Sequence, residues 1–361
     1  MIAFSANAKD EAPLVSTTVS VRPMVDDDEG EWEALVARHP DTGFFHRAGW
    51  RRVVESTLGH RAYYRCAWRG RALVGILPLI HVRSPLFGNA LISMAFGTYG
   101  GIAASDNEAA QALADDAAQL GESLAVDFVE LRHDTEQNLS GYLTKPELYF
   151  TFRRPIAATD DLNLKAVPRK KRADLRKAIK NPDLRCEVGP DIDTFFRIYS
   201  ESVRNLGTPV LPKRFYAAIV KEFGPAVEIA TICGPGGPVS AMMTYYFKDR
   251  VLPYYSGASF AARELHAFDL NYWRLIERAC ARGYTTYDFG RSKRGTGAFD
   301  YKTYWGFEPE RLNYQVHLVR GTEMPEINPL NPKYHLMVEA WKRLPMPVAN
   351  FLGPMIARQI A

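Results

Sequence analysis

The stretch Tyr287-Asp-Phe-Gly-Arg-Ser-Lys-Arg-Gly-Thr-Gly-Ala-Phe-Asp-Tyr-Lys-Thr-Tyr-Trp-Gly-Phe-Glu-Pro309 decides the fold class. It predicts a strand over 285–289, a glycine-rich cationic loop over 290–297, an aromatic helix over 298–305, and a Gly-Phe turn into another strand. The loop at the C-terminal end of a strand is where sheet enzymes place chemistry. Here it carries Arg291, Lys293 and Arg294 among three glycines, so backbone N–H groups and cations can approach an anion together. A plain surface turn is the alternative reading, and the Tyr301-Lys302 pair directly behind the loop argues against it.

Working outward, the patterning predicts the same unit twice. Helices over 28–38 and 48–58 precede strands over 62–68, 71–81 and 90–96, then a helix over 107–124 and a strand over 127–132. Helices over 191–205 and 212–223 likewise precede strands over 227–233, 239–247 and 251–255, a helix over 264–282 and the 285–289 strand. Val74-Gly75-Ile76 matches Val239-Ser240-Ala241, Tyr99-Gly100 matches Ser256-Gly257, and Val129-Glu130-Leu131 matches Tyr287-Asp288-Phe289. Self-similarity at so long a period signals a duplicated domain. The expected boundaries are a disordered start (1–17), a first domain (18–155), a second (156–322) and a C-terminal helical tail (323–361).

This order of helices and antiparallel strands is not the strict alternation of a doubly wound sheet. It resembles the GNAT acyltransferase fold. The expected class is therefore α/β (α+β), with two tandem GNAT-like domains, each a mixed, mostly antiparallel sheet flanked by helices. The resemblance implies that the sheet splays between its fourth and fifth strands and that a thioester donor lies in the notch.

Between the halves, Pro168 suits the start of a helix over 168–180. Arg169, Arg172, Arg176 and Lys180 fall on one stripe, and only Asp174 offsets their charge. Solvated helices normally interleave both signs, so this stripe is read as a phosphate-binding surface.

The 361 residues suffice for two cores, and 47% hydrophobic with 24% charged residues is ordinary for a globular chain. A net charge of +4 is too small for a nucleic-acid coat. Four scattered cysteines give neither a zinc spacing nor a disulfide framework, and the eight histidines are dispersed, so no metal site is expected. Gly290 and Gly295 have phosphate-loop spacing, but Thr296-Gly297 follows where Lys-Ser or Lys-Thr would be needed. Residues 1–17 lack a signal-peptide core, and a cytoplasmic location is expected. The aromatic, apolar and basic tail after Trp341 could lie along an anionic membrane surface, but its prolines and glycine break any long amphipathic helix and favour packing onto the body.

These residues resemble the FemAB-like acyltransferases, in the branch associated with the exosortase/PEP-CTERM system, over about residues 30–356. The resemblance rests on Phe44-Phe-His-Arg-Ala-Gly-Trp50, Leu86-Phe-Gly-Asn89, Tyr99-Gly-Gly101, Pro168-Arg-Lys-Lys-Arg172, Asn205-Leu-Gly-Thr-Pro-Val210, Asp288-Phe-Gly-Arg-Ser-Lys293, Tyr301-Lys302 and Trp305-Gly-Phe-Glu-Pro309. It implies transfer of an acyl or aminoacyl group to a cell-envelope or exopolysaccharide precursor. The donor is acyl-CoA or aminoacyl-tRNA, a co-substrate rather than a tightly bound cofactor. By the same resemblance Arg51 or Arg52, just after the motif Trp50, contacts a precursor diphosphate, and Tyr301-Lys302 lies at the acyl-transfer site. The chain has Tyr where Fem ligases usually have Phe, and it lacks the coiled-coil arm some of them use around tRNA. The expected catalytic residues are Lys302, Tyr301 and Asp288. Arg51, Arg52, Tyr99, Arg169, Arg172, Arg176, Tyr255, Gly257, Arg291 and Lys293 are expected to bind substrate, with Gly257 or the 290s loop offering N–H groups to an oxyanion.

Overall fold

The computed structural model describes residues 18–85, 88–146, 149–324 and 332–360, with backbone alone over 332–335. The start over 1–17 and the Leu86-Phe87 part of one motif lie outside the described residues. Two mixed sheets share one strand plan. The first runs Val19–Pro23, Arg61–Arg69, Ala72–Ser84, Gly88–Ser93, Phe128–His133, Asn313–Leu318 and Leu143–Thr144, with Ala103–Ala104 also paired to Ala72–Ser84. The second runs Arg185–Val188, Val227–Gly234, Gly237–Phe247, Arg250–Ala258, Thr286–Asp288, Tyr149–Pro155 and Ser292–Lys293, with Pro309–Arg311 also on Tyr149–Pro155. Among the described residues the one parallel pair of each sheet joins the fourth strand to the fifth: Ala90 to Phe128 and Arg250 to Thr286.

The sixth strand of each sheet comes from across the expected boundaries. Tyr149–Pro155, inside the first expected domain, pairs with Thr286–Asp288 of the second sheet, with Arg153 opposite Asp288. Asn313–Leu318, inside the second expected domain, pairs with Phe128–His133 of the first. Alternating apolar residues specify a strand but not the edge it joins, so this exchange was invisible to local patterning.

A single aromatic cluster joins the halves. Phe44 of the first stacks on Tyr245 of the second at 4.4 Å and lies 4.8 Å from Phe223, while Phe45 lies 4.8 Å from Tyr254. Trp50 is fully buried beside Phe223, its ring nitrogen donating to the Phe44 carbonyl. Burying each such ring contributes about 2 kcal/mol. The Phe44–Trp50 motif is therefore the weld between the domains.

Most predicted elements fall within three residues of their observed bounds. Two differ in kind. The expected 90–96 strand ends at Ser93 because Met94 and Phe96 take positive φ, and the expected 264–282 helix breaks at His266 (φ 50°) into Ala261–Glu264 and Ala267–Ala281.

Candidate active site

In the second sheet Arg250–Ala258 pairs with Thr286–Asp288 only through Arg250 and Val251, so the two strands part after that point. On the other edge the register jumps from Met243 opposite Tyr255 to Thr244 opposite Pro253, leaving Tyr254 as an extra residue. Such a bulge re-aims side chains, and Pro253, with no N–H to lose, sits comfortably beside it. Its consequence is that consecutive Tyr254 and Tyr255 both face one cleft of about 290 Å³.

That cleft lies between the sheets. The second half supplies Tyr254, Tyr255, Tyr199, Tyr216 and Arg291; the first supplies Phe96, Gly97 and Arg132; the tail closes one side with Ala357 and Ile360. The loop after Gly88–Ser93 is tied to the second half: the Thr98 and Tyr254 hydroxyls are 2.8 Å apart, and the Tyr314 hydroxyl donates to the Thr98 carbonyl at 2.8 Å.

Arg132 donates to Glu130 at 2.8 Å and to the Gly97 carbonyl at 3.1 Å. Lys145 holds the other Glu130 oxygen. Burial alone would raise the Glu130 carboxyl, but Lys145 and Arg132 outweigh it and hold it down at about 2. Arg291 donates to the Tyr314 hydroxyl at 3.2 Å, with its guanidinium 4.7 Å from the Tyr149 ring. Lys293, also over Tyr149, is pushed down to about 8 by burial and then by the neighbouring Arg291 and Lys145. Arg132 and Lys145 pair with one carboxylate, and Arg291 and Lys293 stand over Tyr149 beside them, an excess of cation suited to a phosphate or carboxylate ligand.

The 290s loop is pinned from behind. Gly290 needs its positive φ (70°); its N–H donates to Asp288 at 2.7 Å, and its carbonyl accepts from Lys302 at 2.8 Å. Lys302 also donates to the Arg291 carbonyl at 3.1 Å, and burial pushes it down to about 7.

Several expected site residues have other occupations. Asp288 accepts from Arg153, Tyr99, Thr151 and the Gly290 N–H, so the expected general base is a saturated junction. Tyr99 is buried in that same network, and its ring lies under the Arg153 guanidinium. Tyr301 donates to Asp269 at 2.6 Å, and Asp269 also pairs with buried Lys171. Arg51 pairs with Asp26, and Arg52 bridges Glu29 and Glu222, clasping the halves where a diphosphate contact was expected. Gly257 has a packing reason: a Cβ there would lie 2.8 Å from the Tyr199 Cα.

The helix Arg169–Lys180 docks through Lys171, Leu175 and Ala178. Arg169 and Arg176 are exposed, and Arg172 donates to the Lys165 carbonyl; none of the three lines the cleft. Of the expected residues, Tyr255 and Arg291 do line it. Arg132, Tyr254, Tyr199 and Tyr216 were not foreseen; Arg132 alone left a signal, two residues beyond Glu130 on one strand face.

A family model described as an acetyltransferase (GNAT) domain matches residues 166–303. No curated protein sequence matches the chain. Among solved structures, FemX aligns with a TM-score of 0.67 at 14% identity, covering 88% of this chain and 100% of that one. A tandem GNAT protein from the clavulanic acid biosynthesis pathway gives 0.54 at 12%, covering 84% and 100%. The C-terminal domain of a putative lysylphosphatidylglycerol synthetase from Agrobacterium fabrum gives 0.52 at 12%, covering 81% and 91%. At these identities the likeness is one of fold. The chain is built on a tandem GNAT-like α/β fold, and the acetyltransferase-domain match falls on its second half.

Proposed function

We propose that this chain is an N-acyltransferase that moves an acyl or aminoacyl group onto the amine of a cell-envelope or exopolysaccharide precursor, reacting in the cleft between its sheets. The observation that carries this reading is Arg132 and Arg291, one from each half, meeting across a wall of tyrosines. Two cations in a partly buried cleft can hold the phosphate of a donor or precursor far more firmly than on an open surface.

In the reaction the acceptor nitrogen attacks the ester or thioester carbonyl carbon. A C–N bond forms, and the C–S bond of an acyl-CoA or the C–O bond of an aminoacyl-tRNA breaks. The proton leaving the amine ends on the departing thiolate or alkoxide. Lys302 lies behind the 290s loop rather than on the cleft wall, and its bonds to the Gly290 and Arg291 carbonyls hold the loop that carries Arg291, so Lys302 is read as a positioning residue. Tyr301, through Asp269, fixes the helix that presents it. The exosortase-linked setting rests on the motif resemblance alone.

The test offers acyl-CoA and aminoacyl-tRNA donors to the full chain with amine acceptors. Turnover with either donor is expected, and Arg291→Ala lowers kcat/KM by about tenfold to a hundredfold. A second reading, a non-catalytic module holding tRNA or anionic lipid, is favoured by Arg169, Lys170, Arg176 and Lys180, which have no acidic partner among the described residues. No turnover with either donor, together with binding that weakens steeply with salt, would select it.

A further inference from the structure

Another cavity lies away from the inter-sheet cleft. It is a groove of about 570 Å³ lined by His60, Arg61, His81, Arg83 and Arg358, with no acidic side chain on its walls. Arg61, Arg83 and Arg358 have no acidic partner among the described residues, and Arg61 lies over the Tyr63 ring at 5.0 Å. Three unpaired arginines around one groove, two histidines beside them, make a receptor for an anion larger than a single ion.

The tail brings one of these arginines. The helix Met346–Ala357 buries Ala349, Gly353 and Ala357, and Gly353 sits so close to Val210 that a Cβ would lie 3.2 Å from its backbone. The opposite stripe, Val348, Phe351 and Met355, is exposed (40%, 67% and 48%). Steps of three and four residues carry that stripe on to Arg358, which lines the groove. The end of the tail is fastened there: His60 bonds the Arg358 carbonyl at 2.6 Å, and Ser84 bonds Gln359 at 3.1 Å. An apolar stripe running into a cation-lined groove matches an acyl chain leading to a phosphate headgroup. Among the described residues no helix is long and apolar enough to cross a bilayer, so the stripe would lie along a surface.

We propose that the Arg61–Arg83–Arg358 groove binds the phosphate headgroup of an anionic lipid while Val348, Phe351 and Met355 rest in the membrane surface. This does not depend on the acyl-transfer reading.

Flotation of the full chain with phosphatidylcholine vesicles, with and without phosphatidylglycerol, tests it. The chain is expected to float with the anionic vesicles and not the neutral ones. Arg83→Ala and Arg358→Ala each weaken that partition about fivefold, and Phe351→Ser weakens it about tenfold. All three sites are exposed, and far-UV circular dichroism confirms that the variants fold. Transfer to a soluble acceptor stays at the parent's rate in these variants, which separates failure here from failure of the cleft. Equal flotation with neutral vesicles, variants that float like the parent, or binding of inorganic phosphate without flotation would each overturn the proposal.

Discussion

Arg153 donates from Nε to Asp288 Oδ2 at 3.0 Å, and the two residues stand opposite each other where the exchanged strand joins the second sheet. The Asp288 side chain is fully buried, so removing it leaves the Arg153 charge to Asp134 and the more distant, half-exposed Glu310. Asp288→Ala is expected to cost about 3–5 kcal/mol in urea unfolding. A variant as stable as the parent but inactive would return Asp288 to the role of general base.

Lys302 links stability to pH with a definite sign. Its ammonium titrates at about 7 in the folded chain against an ordinary 10.5, so the unfolded chain binds the extra proton between those values. The parent's stability relative to Lys302→Met should therefore rise from pH 7 to 10 and be flat below 7. Unfolding midpoints across that range check it. The same substitution leaves two carbonyls without their donor, so lost activity has to be read beside an unfolding curve.

Arg52 spans Glu29 and Glu222 on a half-exposed surface. Arg52→Ala should lower stability by about 0.5 kcal/mol at low salt and leave transfer unchanged. A large rise in KM for the precursor would instead restore the expected diphosphate contact.

His46 and His133 are buried and neutral, pushed down to about 4 and about 3, chiefly by burial. Both bind protons more readily when unfolded, so stability should fall as pH drops below 6.5 toward 3. His133→Gln is expected to flatten that acid limb, measured by tryptophan fluorescence.

Gly257→Ala presses a methyl into the Tyr199 backbone. About 2 kcal/mol of stability should go with it. Unchanged thermal unfolding would show that the helix Ile192–Asn205 yields at no cost.

Local pattern carried much of this protein. The period of apolar residues and the glycine punctuation placed the repeated helices and strands, and their order pointed to the tandem fold. Arg291 and Tyr255 were legible because chemistry-bearing types gather where a strand ends. What the tertiary structure alone decided was partnership. Asp288, Tyr99, Arg52 and Lys302 are polar residues near a plausible site, yet each is satisfied by at least one group 12 or more positions away in the chain. The strand exchange, the Tyr254 bulge and the meeting of Arg132 with Arg291 belong to the same class: side-chain type and spacing set a residue's local conformation, while its neighbours across the sheet are fixed only when the whole chain has packed.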